Sequence, residues 1–316
     1  MSVSRWLGAT LSAAALVSTS PATAAEGGAS NYLPGAYGDF GLAVANAPGF
    51  EMTLAGVAAI GLQGDIVDPA TAAPASLDVD ANSLTASLVW TSQPFGHSLV
   101  ISAGLTLPYT DIETRAALNL GVFGVQNLRD DNDGFGDVVL NPLSLYGAVA
   151  VGEATDLYWS LAEYVTAPTG KHSAARISNP GRDHWTFDTV LAASLIDEAA
   201  GYEIAAAGGF MINTKSGGTN YKSGAEAHLD LVANVLVGDG VALGATVYGV
   251  AQIERDRGAV GPSPPKGQAW GAGLQAFWTP DPERFTPSVR LKWLRDLEAE
   301  DRLKGDYVFL IVDFPL

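Results

Sequence analysis

The chain has 316 residues, no cysteine, and 34 acidic against 17 basic side chains. A balance this acidic argues against a nucleic-acid partner, because phosphate binding needs clustered Lys and Arg, and no disulfide framework is possible. Charged residues make up only 16%, against about 25% in soluble proteins.

The first segment, MSVSRWLGATLSAAALVSTSPATAAEGG, carries one positive residue, Arg5. An apolar stretch from Trp6 to Val17, too short to span a bilayer, and a small-residue cleavage site at Ala22-Thr23-Ala24 follow it. The pattern predicts a secretory signal peptide over 1–25, so that the processed chain starts near Glu26. An N-terminal anchor helix is the alternative. Further on, no run reaches 18 consecutive apolar residues, the length a membrane-crossing helix needs. A soluble exported β-protein and an outer-membrane barrel remain.

Residues 26–49 are rich in Gly, Ala and Pro. They are expected either to fold into a barrel as a plug or gate, with Tyr32, Tyr37 and Phe40 as contact groups, or to form a periplasmic tail. Residues 50–316 are expected to be the barrel itself. Phe50, Met52, Leu54 and Ile60 alternate with Glu51 and Thr53, and Leu84, Leu88 and Trp90 alternate with Thr85 and Ser87. Period-two runs of this kind, a strand signal, recur at 98–107, 184–195, 202–213 and 288–293.

The clearest case is AEAHLDLVANVLVGDGVALGATVYGVAQIE (225–254), which turns at Gly238-Asp239-Gly240. Its odd positions are apolar or small, while its even positions include Glu226, His228, Asp230, Asn234, Tyr248 and Gln252. Each arm is about twice the usual soluble strand and matches the roughly 9–11 residues of a tilted transmembrane strand.

Short connections (94–97, 152–156, 196–201, 238–240, 279–285) alternate with long polar ones (64–82, 116–134, 168–183, 214–221, 255–268, 297–305). Such asymmetry marks a transmembrane barrel. Treating 98–115 as one long strand gives twelve strands, in keeping with the even-number rule, whereas splitting it at Pro108 would give thirteen. The C-terminus, DYVFLIVDFPL, places Val308, Leu310, Val312, Phe314 and Leu316 on one face. Glu163 shares parity with Leu157, Trp159, Leu161 and Val165. A lipid-facing Glu near mid-membrane is costly, so it is expected at the interface or beside a bulge.

In RDDNDGFGD (129–137), Asp131, Asp133 and Gly134 fit a Ca²⁺ loop, but Arg129 occupies the first ligand position. A solvated extracellular loop is the better reading. Gly170-Lys171-His172 lacks the upstream Gly of a phosphate loop, and G-x-S-x-G is absent. His228 stands two residues from Glu226 and Asp230, roughly 6.6–7 Å from each along a strand, which is wide for chelation. No metal site, cofactor or catalytic set is expected.

The stretches YLPGAYGDFG (32–41), APGF (47–50), GFGDVVLNPLSL (134–145), YVTAPTG (164–170), NPGRDHWTFD (179–188), YKSGAEAHLDL (221–231) and RLKGDYVFLIVDFPL (302–316) resemble the MetA-pathway phenol-degradation family, whose members are also labelled SphA-family or transporter proteins. The similarity runs over the processed chain, with a small local difference at 199–203. It implies an outer-membrane barrel, delivered by the barrel-insertion machinery, seated in outer-membrane lipid and admitting small hydrophobic or aromatic solutes for a catabolic pathway.

The expectation is therefore an all-β, up-and-down antiparallel barrel of about twelve strands acting as a passive channel. Glu226, His228, Asp230, Asn234, Tyr248, Arg290 and Lys292 would face its lumen, either setting selectivity or forming a paired interior network. Tyr307, Phe277 and Phe309 would offer stacking surfaces. Trp90, Trp159, Trp185, Trp270, Trp278 and Trp293 would sit at the lipid boundaries. A barrel hydrolase using His228 or His184, and a sealed structural or adhesive barrel, are the alternatives.

Overall fold

The computed structural model describes residues 30–67, 74–96, 99–219, 221–258, 266–280 and 287–316. The expected signal peptide lies outside the described residues. Those described form thirteen strands: β1 (Gly49–Val67), β2 (Pro74–Thr91), β3 (Val100–Asn119), β4 (Val125–Phe135), β5 (Val138–Ala150), β6 (Thr155–Ala167), β7 (Thr186–Asp197), β8 (Tyr202–Asn213), β9 (Glu226–Gly238), β10 (Val241–Gln252), β11 (Gln268–Trp278), β12 (Ser288–Glu300) and β13 (Lys304–Pro315).

Twelve of them close into an antiparallel barrel. β1 pairs with β2 on one side and with β13 on the other, so the first and last strands meet. β3 has two partners in succession: Val100–Thr106 pairs with β5, and Tyr109–Asn119 pairs with β4. β4 is therefore an extra strand outside the ring, and β1 to β4 project beyond the wall as a four-stranded blade.

The blade corrects two expected connections. Residues 64–67 and 74–82 are the distal ends of β1 and β2, and only 68–73 is left to join them. Likewise 125–135 is a strand, so Asp131 and Asp133 lie opposite Glu113 and Asp111 in the ladder and not in a loop. The physical reason is a continued period of two whose polarity inverts. Within the wall, β2 turns Leu84 and Leu88 outward (61% and 44% exposed) and Ser83, Thr85 and Ser87 inward. Further along the same strand, Ala75, Leu77, Val79 and Ala81 point inward and are buried, with Asp78 and Asp80 outside. β3 changes in step: Leu105 and Leu107 are outward, and then Ile112 (0% exposed) is inward. Water replaces lipid as the outer solvent where the pattern inverts, and lipid-facing apolar bands end at such boundaries. In β1 a bulge between Ile60 and Gln63, with Gly61 at φ 59°, keeps Leu62 inward. Positive φ there suits glycine.

Glu163 does face outward on β6. The bulge lies in the neighbouring strand, at Asn141-Pro142 of β5, between Leu140 and Leu143. Pro cannot donate to a ladder. The Asn141 side chain fills in by donating to the Glu163 carbonyl at 2.8 Å, and Thr189 Oγ1 donates to the Glu163 carboxylate at 2.6 Å. Trp90, Trp185, Trp270, Trp278 and Trp293 are each at least 40% exposed on the outer face. No helix among the described residues is long and apolar enough to cross a membrane, which says nothing of strands.

Candidate functional site: the lumen and the segment that fills it

Alternation fixes which side chains enter the lumen. On β9, Glu226, His228, Asp230, Val232 and Asn234 are buried while Leu229, Leu231 and Val235 are exposed. On β12, Arg290 and Lys292 are 0% and 2% exposed, and Tyr248 on β10 is 1% exposed. The seven side chains singled out in the sequence for the lumen are thus all buried. So are Phe277, Tyr307 and Phe309.

Residues 30–46 run down this interior before β1 begins. Near the end bearing the longer connections, Ser30 Oγ donates to Glu226 at 2.5 Å and its carbonyl accepts from Arg182 at 3.0 Å. Asn31 donates to Thr186. Midway, the Tyr32 hydroxyl donates to Asp230 at 2.9 Å and the Tyr37 hydroxyl to Asp188 at 2.7 Å. Both rings lie nearly parallel to the His228 imidazole, with centroids 4.5 and 4.9 Å away. Lower down, Lys292 Nζ donates to the carbonyls of Gly35 and Gly38, each at 2.7 Å, and Arg290 joins Asp39 at 2.9 Å. Phe40 packs on Phe277. The amides of Gly41 and Leu42 donate to Glu203, and that of Ala43 to Ser194 Oγ. At the turn end Asn46 donates to Glu51 at 2.7 Å.

Several partners in this network carry no individual signal in the sequence. Asp188 and Glu203 each face inward on their strands, yet nothing in one strand's pattern says which carboxylate meets which segment residue. A clue does exist at Gly208-Gly209. The His228 ring occupies the space where a side chain on Gly209 would be, so the glycine makes room for the imidazole. His228 Nε2 approaches Asp188 at 3.0 Å. No serine or threonine hydroxyl hydrogen-bonds to His228 among the described residues. The described residues hold no group of three or more His, Asp or Glu suited to a metal ion.

This architecture, a lipid-ready wall around a polar lumen, has counterparts. The family described as "Putative MetA-pathway of phenol degradation" matches residues 62–311. The chain belongs to this family. Among solved structures, an outer membrane channel from Pseudomonas putida F1 superposes with a TM-score of 0.66 at 16% identity, covering 85% of this chain and 96% of that one. That likeness establishes the fold. A Pseudomonas aeruginosa FadL homologue covers 95% and 99% of the two chains at 11% identity with a TM-score of 0.40. The transport unit of the autotransporter AIDA-I from Escherichia coli covers 85% and 90% at 7% identity with a TM-score of 0.46. No curated protein matches the sequence.

Proposed function

We propose that this family member is an outer-membrane channel for passive uptake of small hydrophobic or aromatic compounds, with residues 30–46 as its plug. The observation that carries the reading is how the segment is held. Alongside apolar packing of Leu33, Phe40, Leu42 and Val44 against the wall, the segment is tied by reversible polar bonds: tyrosine hydroxyls on Asp188 and Asp230, Asp39 on Arg290, backbone carbonyls on Lys292 and backbone amides on Glu203. Each such bond contributes only about 0.5–1.5 kcal/mol net, or about 1.5–3 where one group is charged. Water can replace each bond in turn as the segment moves.

The membership of a family named for phenol degradation supports the choice of solute. The lumen supplies the matching surface. Tyr37, Tyr164 and His228 form one aromatic cluster, and Phe40 and Phe277 another. Weak aromatic contacts of about 0.5–1.5 kcal/mol suit a path that must bind a ring and release it. The wall side chains Asp230, Asn234, Arg290 and Lys292 fix the polar cross-section through which that ring passes.

Planar-bilayer recording tests the proposal. The intact chain should show small, intermittent conductance, and deletion of 30–46 should raise it severalfold. A variant that inserts and still conducts nothing without the segment would refute a channel and leave a sealed barrel.

A further inference from the structure

We infer that the opened lumen prefers cations: it passes neutral and positively charged aromatic solutes and turns back aromatic carboxylates. This rests on the channel reading above and names its solute class. Buried carboxylates outnumber buried Lys and Arg among the described residues. Three of them stand at successive heights along the wall and are held by neutral donors. Glu203, near the turn end, accepts from Asn234 and from the Gly41 and Leu42 amides. Asp230, midway, accepts from the Tyr32 hydroxyl, and its Oδ1 has no hydrogen-bond partner among the described residues although the residue is fully buried. Asp296, near the loop end, accepts from Tyr248, Tyr307 and the Gly305 amide.

The segment itself supplies much of what quiets these charges. Its departure takes the Gly41 and Leu42 amides from Glu203 and the Tyr32 hydroxyl from Asp230. It also takes the Tyr37 hydroxyl from Asp188 and the Ser30 hydroxyl from Glu226. On the basic side Arg182, Arg290 and Lys292 lose segment partners, namely the Ser30 carbonyl, Asp39 and the Gly35 and Gly38 carbonyls, but Arg290 keeps Asp313, which it grips at 2.7 and 2.8 Å. The unmasked path is therefore net acidic along its height. Lumen carboxylates favour cations over anions, and a narrow, low-dielectric passage strengthens the effect. A benzoate would shed hydration and meet its own charge. A neutral phenol would meet hydrogen-bond acceptors, and a benzylammonium would meet partners.

The test uses the full processed chain in proteoliposomes and planar bilayers. Under a KCl gradient the reversal potential should show K⁺ passing ahead of Cl⁻. Benzylammonium should enter faster than into protein-free vesicles, while benzoate, nearly the same size, enters at the protein-free rate. The double variant Glu203→Gln, Asp230→Asn should lower the K⁺/Cl⁻ permeability ratio severalfold. Chloride preference, benzoate entering as fast as benzylammonium, or an unchanged ratio in a folded double variant overturns the inference while leaving the channel standing. If neither the intact chain nor one lacking 30–46 passes any ion or solute, the channel reading falls, and this inference with it. If the double variant does not fold, the reversal potential of the native chain decides.

Discussion

Arg290 is completely buried and its guanidinium spans two carboxylates, Asp39 on the lumen segment and Asp313 on β13. Asp313 in turn accepts from Thr53 and Ser288. Removing the guanidinium takes the cation from Asp313 and leaves Asp39, among the described residues, only Lys292 Nζ at 3.8 Å, and breaking a buried pair in this way costs about 3–5 kcal/mol. Arg290→Ala is therefore expected to lower stability in urea titrations of the refolded barrel by that order. An unchanged midpoint would mean that the pair is solvated. Arg290 and Lys292 were legible as lumen residues because Val289, Leu291 and Trp293 alternate with them. Their partners were not. Asp39 lies in a segment without periodicity, and register across the barrel, not sequence spacing, brings Asp313 to Arg290.

A second residue-scale expectation concerns Gly209. Its missing side chain leaves the space that the His228 ring fills. Gly209→Val should displace the imidazole from between Tyr32, Tyr37 and Asp188, and so loosen the segment. Limited proteolysis within 30–46 should quicken in the variant. Equal cleavage rates would show that the histidine does not hold the segment.

At the scale of elements, the inversion of polarity along β1, β2 and β3 is the most informative feature. The wall is inside-out, with leucines outward and hydroxyls inward, and the blade has the ordinary arrangement. One rule, period two, was read correctly over the wall. Over 74–82 the same rule applied, but the apolar parity had switched faces, so the stretch passed for a polar connection. Leu231 lies near the middle of β9 and is 44% exposed on the outer face. Leu231→Arg should destabilise the barrel by about 2–4 kcal/mol, the cost of that charge at the bilayer midplane. Asn127→Arg, exposed on β4 in the blade, should change stability by less than about 0.5 kcal/mol. Urea unfolding in vesicles reads both, and equal effects would contradict the placement of the lipid boundary between them. The Asn141-Pro142 bulge was only partly legible: Glu163 announced an irregularity, but parity within its own strand cannot locate a shift in the neighbouring one.

For the whole molecule, closure of β1 on β13 removes sheet edges from the wall, as a sheet in lipid requires. The strand number was readable because 98–115 behaves as one long strand, and β4 escaped notice because it pairs only with the projecting half of β3. The filled lumen was half readable. Length and composition of 26–49 favoured a plug over a tail only narrowly, and the contacts of Tyr32, Tyr37 and Asp39 show that 30–46 lies inside the barrel.

The central claim is that lipid touches the face carrying Leu231, Val247 and Leu274 while the lumen segment occupies the other side. The chain lacks cysteine, so a single introduced cysteine can carry a spin label without background. Labels at Leu231, Val247 and Leu274 in reconstituted vesicles should relax strongly with oxygen, which concentrates in hydrocarbon, and weakly with a water-soluble nickel chelate. A label at Val122, 96% exposed in the turn between β3 and β4, should do the reverse. Chelate-dominated relaxation at the three wall sites would contradict the account.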